Sequence, residues 1–168
     1  MGITDGHIYL DSNIYYQGLR PAINLPLSVT RVGRQTLDTL SREINKNLVA
    51  FLSSYDKLQN LAHFGQELTD DVKKNLRLGE MVYAFFNQPY QITVPKPVQM
   101  IVLSMILQNL IVDKQELAQV KTGLIAAYYD RGKQKILYEV VDDAKDIKTF
   151  NDNVLKNKDH LMAIAKGT

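Results

Sequence analysis

A chain of 168 residues, 45% of them hydrophobic, is long enough for one compact core of ordinary domain size. Its 20 basic and 18 acidic residues leave a net charge of +2 and are spread along the chain, so they give no clustered basic surface of the kind that phosphate-backbone binding needs, and no nucleic-acid partner is expected. The absence of cysteine excludes disulfides, thiol catalysis and cysteine metal sites. Asp5 and the polar residues around it interrupt any apolar run of signal-peptide type.

In chain order, residues 8–10 and 25–29 read as short extended segments, set around the turn-forming Asp5-Gly6 and Arg20-Pro21. The period changes at Gly33. Leu37, Leu40, Ile44, Leu48, Phe51, Leu52 and Tyr55 recur three and four apart, which predicts one face of a helix of about five turns. A second helix is expected from Thr69 as N-cap, through Val72, Leu76, Val82, Phe85 and Phe86, with Pro89 ending it. Residues 98–112 are apolar apart from Gln99, Ser104, Gln108 and Asn109. That run is too short and too polar for a membrane span, which needs about 20 apolar residues. It reads as a buried central helix with Pro97 in its first turn, where a missing amide costs nothing.

Asp113 and Glu116 form a start of capping-box type for a fourth helix carrying Leu117, Val120, Leu124 and Tyr128, stopped at Arg131-Gly132. Residues 136–141 make a short fifth helix. Ile147, Phe150, Val154, Leu155, Leu161 and Ile164 make one last amphipathic helix. The fold class is therefore mainly α, a bundle of about five to six helices over residues 34–168, preceded by a short β and loop segment over residues 1–33.

Several constellations carry little chemistry. His7, His63 and His160 have no metal-ligand spacing, so no metal is expected. Asp70-Asp71 and Asp142-Asp143 look like paired carboxylates, but each reads as the opening of a helix, where negative charge is favoured. Tyr128-Tyr129 and Phe85-Phe86 read as core aromatics rather than base-stacking platforms. No Gly-x-x-x-x-Gly-Lys-Ser/Thr phosphate loop occurs, so the chain alone is not expected to hydrolyse ATP.

The first third carries a resemblance. Ile3-Thr4-Asp5-Gly6-His7-Ile8, Leu19-Arg20-Pro21-Ala22-Ile23-Asn24 and Leu27-Ser28-Val29-Thr30-Arg31-Val32-Gly33 stand in register. The series is similar to the F-type ATP synthase alpha subunit, where the patterns Ile-Thr-Asp-Gly-Gln-Ile, Gly-Ile/Val-Arg-Pro-Ala-Ile-Asn and Leu-Ser-Val-Ser-Arg-Val-Gly occur in that order. Tyr55 and Phe64-Gly65 fall where the family's first C-terminal helix and its following Phe-Gly stand. Since Met1-Gly2 runs straight into what resembles the middle of a domain, the chain reads as a C-terminal fragment. On that reading residues 1–33 are the end of the nucleotide-binding domain, with two short strands and the arginine loop, and residues 34–168 are the C-terminal helical bundle. The extended segments before Gly33 would belong to a parallel-type sheet and lack pairing partners here.

The resemblance implies that Arg31 reaches in trans into a neighbouring subunit's catalytic site. There a planar, permanently charged guanidinium donates two hydrogen bonds to the transferring phosphoryl group. The plainer alternative is an arginine paired with a local carboxylate. Ser28 matches a serine that the family associates with activity, its physical part being to hold the loop by hydrogen bonds to backbone. Arg20 and Pro21 match residues beside the base of the subunit's own non-catalytic nucleotide. Gln88 resembles the first of two glutamines near that base, although Gln88-Pro89-Tyr90-Gln91 departs from the family's Gln-x-Gln.

The implied cofactor is ATP or ADP with magnesium in the parent complex, none being expected on the fragment. The implied partners are the beta and gamma subunits and other alpha subunits in an alternating hexamer. This complex is an ion-translocating rotary ATP synthase, peripheral to an energy-transducing membrane on its cytoplasmic, matrix or stromal side and without direct insertion. One departure leaves an alternative open. Where the family continues with small residues, Arg34-Gln35-Thr36-Leu37 is bulky, as in a divergent paralogue whose bundle serves as a structural adaptor without a catalytic role.

Overall fold

The computed structural model describes residues 5–30, 32–63, 69–89 and 91–167, the side chains of Val32, Arg34 and His63 excepted. Arg31, Phe64-Gly65 and Tyr90 lie outside the described residues. The backbone divides into two compact units, Met1–Pro89 and Tyr90–Thr168.

The first unit starts with strand β1 (Gly6–His7), the short helix α1 (Ser12–Tyr16), strand β2 (Val29–Thr30) and helix α2 (Val32–Thr36). β1 and β2 pair antiparallel, Gly6 opposite Thr30 and His7 opposite Val29, and an isolated bridge joins Leu10 to Ile23. The segments expected to lack sheet partners therefore pair with each other. A two-stranded ribbon can close on itself because residues 11–28 turn the chain back through α1 and the Arg20-Pro21 turn.

Helices α3 (Thr39–His63) and α4 (Asp70–Phe86) then pack as a hairpin. α3 is longer than the apolar stripe ending at Tyr55 suggests, because polar residues continue its exposed face. Leu48, Leu52 and Tyr55 of α3 and Leu78, Val82 and Phe85 of α4 are buried in this unit, where the two helices pack together. Gly79 lets the helices approach: a Cβ there would stand 2.0 Å from Cδ2 of Tyr55. Thr69 is the N-cap of α4, with Asp70 and Asp71 in its first turn; its hydroxyl makes no capping bond.

The second unit is all helical: α5 (Lys96–Leu107), α6 (Lys114–Tyr129), α7 (Gln134–Asp142), α8 (Ile147–Lys156) and α9 (Lys158–Lys166). α5 is the expected buried helix, with Pro97 in its first turn and Val98, Ile101, Val102, Met105 and Ile106 inside the core. It packs on α6, α7 and α8, and α9 packs along α6. Its few polar groups are satisfied: the Ser104 hydroxyl donates to Asn151 Oδ1 (2.7 Å), and Gln108 donates to Ser104 Oγ (2.8 Å) and to the Asn151 carbonyl (3.2 Å).

Asp113 accepts from the Glu116 amide and Glu116 from the Val112 amide, both at 2.8 Å, so the reciprocal cap forms as the sequence suggests. Three expectations need correction. The last helix is two, α8 and α9, divided at Asn157, whose side-chain amide donates to the Asn153 carbonyl. Asp142-Asp143 close α7, and it is Asp146 that opens α8 by accepting from the Thr149 amide at 2.7 Å. Tyr129 is not core; it is 71% exposed.

Candidate functional site

The geometry around Arg20 is built by short-range polar chemistry in the first unit. Asp11 caps α1 by accepting from the Asn13 amide (2.9 Å), and its other carboxylate oxygen accepts from the Asn24 side chain (3.1 Å). These bonds, Asn24's first, hold the Asp11 carboxyl below the usual carboxylate range. Gly18, at φ 80°, turns the chain out of α1 in a conformation that favours glycine. The peptide between Arg20 and Pro21 is cis.

The main chain of Arg20 is then read on both sides by the end of α4. Its amide donates to Asn87 Oδ1 (3.0 Å), and its carbonyl accepts from the Gln88 amide (3.0 Å). The guanidinium is fixed as well. It lies 3.7 Å from the centroid of the Tyr15 ring and donates through Nη1 to the carbonyls of Tyr15 and Leu19, both at 2.8 Å. Arg20, Pro21 and Gln88, distant in sequence, thus line one cavity of about 100 Å³ together with Leu19, Tyr83 and Phe86. Pockets that engulf a ligand run to roughly 300–1,000 Å³, so this one is suited to part of a ligand.

Beneath the cavity, the Tyr83 hydroxyl donates to Asp56 Oδ1 at 3.4 Å, and the Tyr83 ring lies 5.6 Å from that of Tyr55. Burial pushes the Asp56 carboxyl up, against the hydrogen bond from Tyr83 and with the Asp11 charge adding to the rise. Burial, helped by the Asp56 charge, pushes the Tyr83 phenol up.

Ser28 ties the loop ahead of Arg31 to its neighbours. Its hydroxyl donates to the Asn24 carbonyl (2.6 Å) and accepts from the Tyr9 amide (3.1 Å), while the Asn24 amide donates to the Tyr9 carbonyl (2.9 Å). The strand that leads to Arg31 is thus held from two sides. No group of three metal-ligating side chains occurs among the described residues, and no helix there is long and apolar enough to cross a membrane. Sequence reasoning missed Tyr15 and Asn87. Each stands close in sequence to a residue that was singled out, but their roles are a ring face and a bond to main chain, which no motif encodes.

The ATP synthase alpha/beta chain, C terminal domain, matches residues 39–161 as a family model, nearly the whole helical part. The chain belongs to this family. Within the alpha/beta C-terminal family it is similar to ATP synthase subunit alpha of Clostridium acetobutylicum, 32% identical over 150 residues that make up 85% of this chain and 30% of that protein. It is likewise 32% identical to the alpha subunit of Caldanaerobacter subterraneus subsp. tengcongensis, over 93% of this chain and 31% of the relative. With the alpha subunit of Wigglesworthia glossinidia brevipalpis it shares 39% identity over 88 residues, 52% of this chain and 17% of the relative. The chain therefore spans less than a third of the length of these relatives. The family match begins at Thr39, so Gln88 lies inside it while Arg20, Pro21, Ser28 and Arg31 precede it.

Proposed function

We propose that the chain is the C-terminal part of an ATP synthase alpha subunit, residues 1–33 ending its nucleotide-binding domain and residues 34–168 forming its helical domain. Arg31 contributes its guanidinium in trans at the interface with a beta subunit, where charge spreads over the transferring phosphoryl group during ATP synthesis or hydrolysis. Ser28 positions the strand that carries it. Arg20, Pro21 and Gln88 form the base-side wall of the subunit's own non-catalytic site for ATP or ADP with magnesium. The assembly is an alternating hexamer of alpha and beta subunits around a gamma subunit, peripheral to an energy-transducing, ion-translocating membrane.

The observation that supports this reading best is the meeting of Arg20-Pro21 with Asn87-Gln88 around one shallow cavity, a juxtaposition that local folding of either segment does not require. The test is Arg31→Lys in the assembled complex. Arginines supplied in trans to phosphoryl transfer are worth on the order of 10³–10⁵ in rate, so multisite turnover should fall by orders of magnitude while nucleotide binding persists. The bulky Arg34-Gln35-Thr36-Leu37 stretch favours a second reading, a divergent paralogue with a structural adaptor role. Under that reading the same substitution leaves turnover unchanged.

A further inference from the structure

We propose that Tyr128 and Tyr138 form an oxidative cross-linking site, at which a peroxide-driven one-electron oxidant joins the two rings as dityrosine and ties the end of α6 to α7. The Tyr138 hydroxyl donates to the Tyr128 oxygen at 3.1 Å, and the rings are tilted by 41° with centroids 6.0 Å apart. Tyr138 is 37% exposed and Tyr128 half-buried, so the pair is open to an oxidant in solution. The turn between the helices holds the rings in place. The Asp130 carbonyl accepts from the amides of Lys133 (3.1 Å) and Gln134 (2.8 Å), and its side chain accepts from the Gly132 amide (2.8 Å). Leu137 and Val140 fix α7 in the core on the other side.

The chemistry follows from that proximity. Loss of one electron and one proton from each phenol gives two phenoxyl radicals, whose unpaired spin is shared with the ring carbons next to the oxygen-bearing carbon. A carbon–carbon bond forms between one such carbon of each ring, and the hydrogens on those carbons return to the oxygens, restoring two phenols. Two electrons and two protons leave in all. Hydrogen peroxide takes them up as its oxygen–oxygen bond breaks, giving two waters. Holding the partners side by side makes the coupling effectively unimolecular.

The chain has nine tyrosines, and geometry selects among the eight that are described. Tyr15 with Tyr16 and Tyr128 with Tyr129 are sequence neighbours packed edge-on, at 83° and 88°. Tyr55 and Tyr83 are near each other, but Tyr55 is 6% exposed and the Tyr83 hydroxyl is engaged by Asp56.

The test treats the dilute 168-residue chain with a haem peroxidase and hydrogen peroxide, isolates the monomer by size exclusion, and maps cross-linked peptides by mass spectrometry beside dityrosine fluorescence. The expected product is a monomer lighter by two hydrogens, with Tyr128 joined to Tyr138. Tyr138→Phe and Tyr128→Phe, each shown to be folded by circular dichroism, should lose the signal, and Tyr129→Phe should keep it. The urea-unfolded chain, treated alike, serves as the oxidant control. Dityrosine in the unfolded chain but none in the native monomer would overturn the proposal, as would a native cross-link between any other pair or one that survives Tyr138→Phe.

Discussion

Asp56 shows how one residue can work against the fold that contains it. Burial raises its pKa above the ordinary carboxylate value, so the folded state binds the proton more tightly than the unfolded chain does. The penalty is therefore complete above the folded-state pKa and is relieved as pH falls through it, the reverse of a carboxylate stabilised by a salt bridge. The groups facing it do not offset this: Tyr83 donates one long hydrogen bond, Tyr55 lies alongside with its own phenol pushed up, and Asp11 adds negative charge. Asn at this position keeps an acceptor for Tyr83 and removes the charge. Asp56→Asn should therefore be more stable than the native chain at pH 7, with the gap closing as the pH falls into the range where Asp56 takes up its proton. Urea unfolding followed across that range checks this, and a variant less stable than the native chain at neutral pH, with the deficit shrinking as the pH falls, would show that the ionised carboxylate is needed. At the same scale, Arg20 and Gln88 could be singled out only by resemblance. Nothing in their spacing says that the main chain of one would be bonded by the other's neighbourhood.

At the scale of elements, legibility followed the range of the interaction that decides each boundary. The start of α6 was readable because its reciprocal cap joins Asp113 and Glu116, three residues apart. α5 was readable because its burial on every side leaves an almost unbroken apolar run. The break at Asn157 was not readable, since apolar residues before and after it keep helical spacing and only an amide folded back on Asn153 marks the interruption. Asp142-Asp143 misled for a related reason: acidic residues suit a helix start, but Asp146 takes that role and leaves the pair at the exposed end of α7. Helix contacts without a local signature were invisible. α9 packs on α6 at Gly123, where an added Cβ would stand 2.0 Å from the carbonyl oxygen of Ala165. Backbone cannot swing aside as a flexible side chain can, so the two helices would have to part. Gly123→Ala, despite a better helix propensity, should cost about 1–3 kcal/mol, the usual range for overpacking. Urea denaturation measures it, and an unchanged or raised midpoint would mean that this helix pair is loosely seated.

At the scale of the whole molecule, protection against exchange should follow burial, since amides in a well-packed core open only with the cooperative unit that contains them. α5 carries the densest run of buried side chains, Val98 and Met100 to Ile106 among them, and each fully buried aliphatic contributes roughly 1.5–3 kcal/mol. The β1–β2 ribbon stands at the other extreme. Its strands have two residues each, Ile8, Leu10 and Val29 around it are at least half exposed, and two strands alone are marginal in water. Its loops do have partners, through Ser28, Asn24 and the bonds from Arg20 to Asn87, but these are single polar contacts near solvent, each worth only about 0.5–1.5 kcal/mol net. Hydrogen exchange should therefore be slowest at the α5 amides and fast in the ribbon, with the amides of residues 20 and 88 between them. Protection of residues 6–30 equal to that of α5 would mean that the polar ties around Arg20 and Ser28 make the ribbon part of a cooperative core, and that packing density is the wrong guide to where this chain opens first.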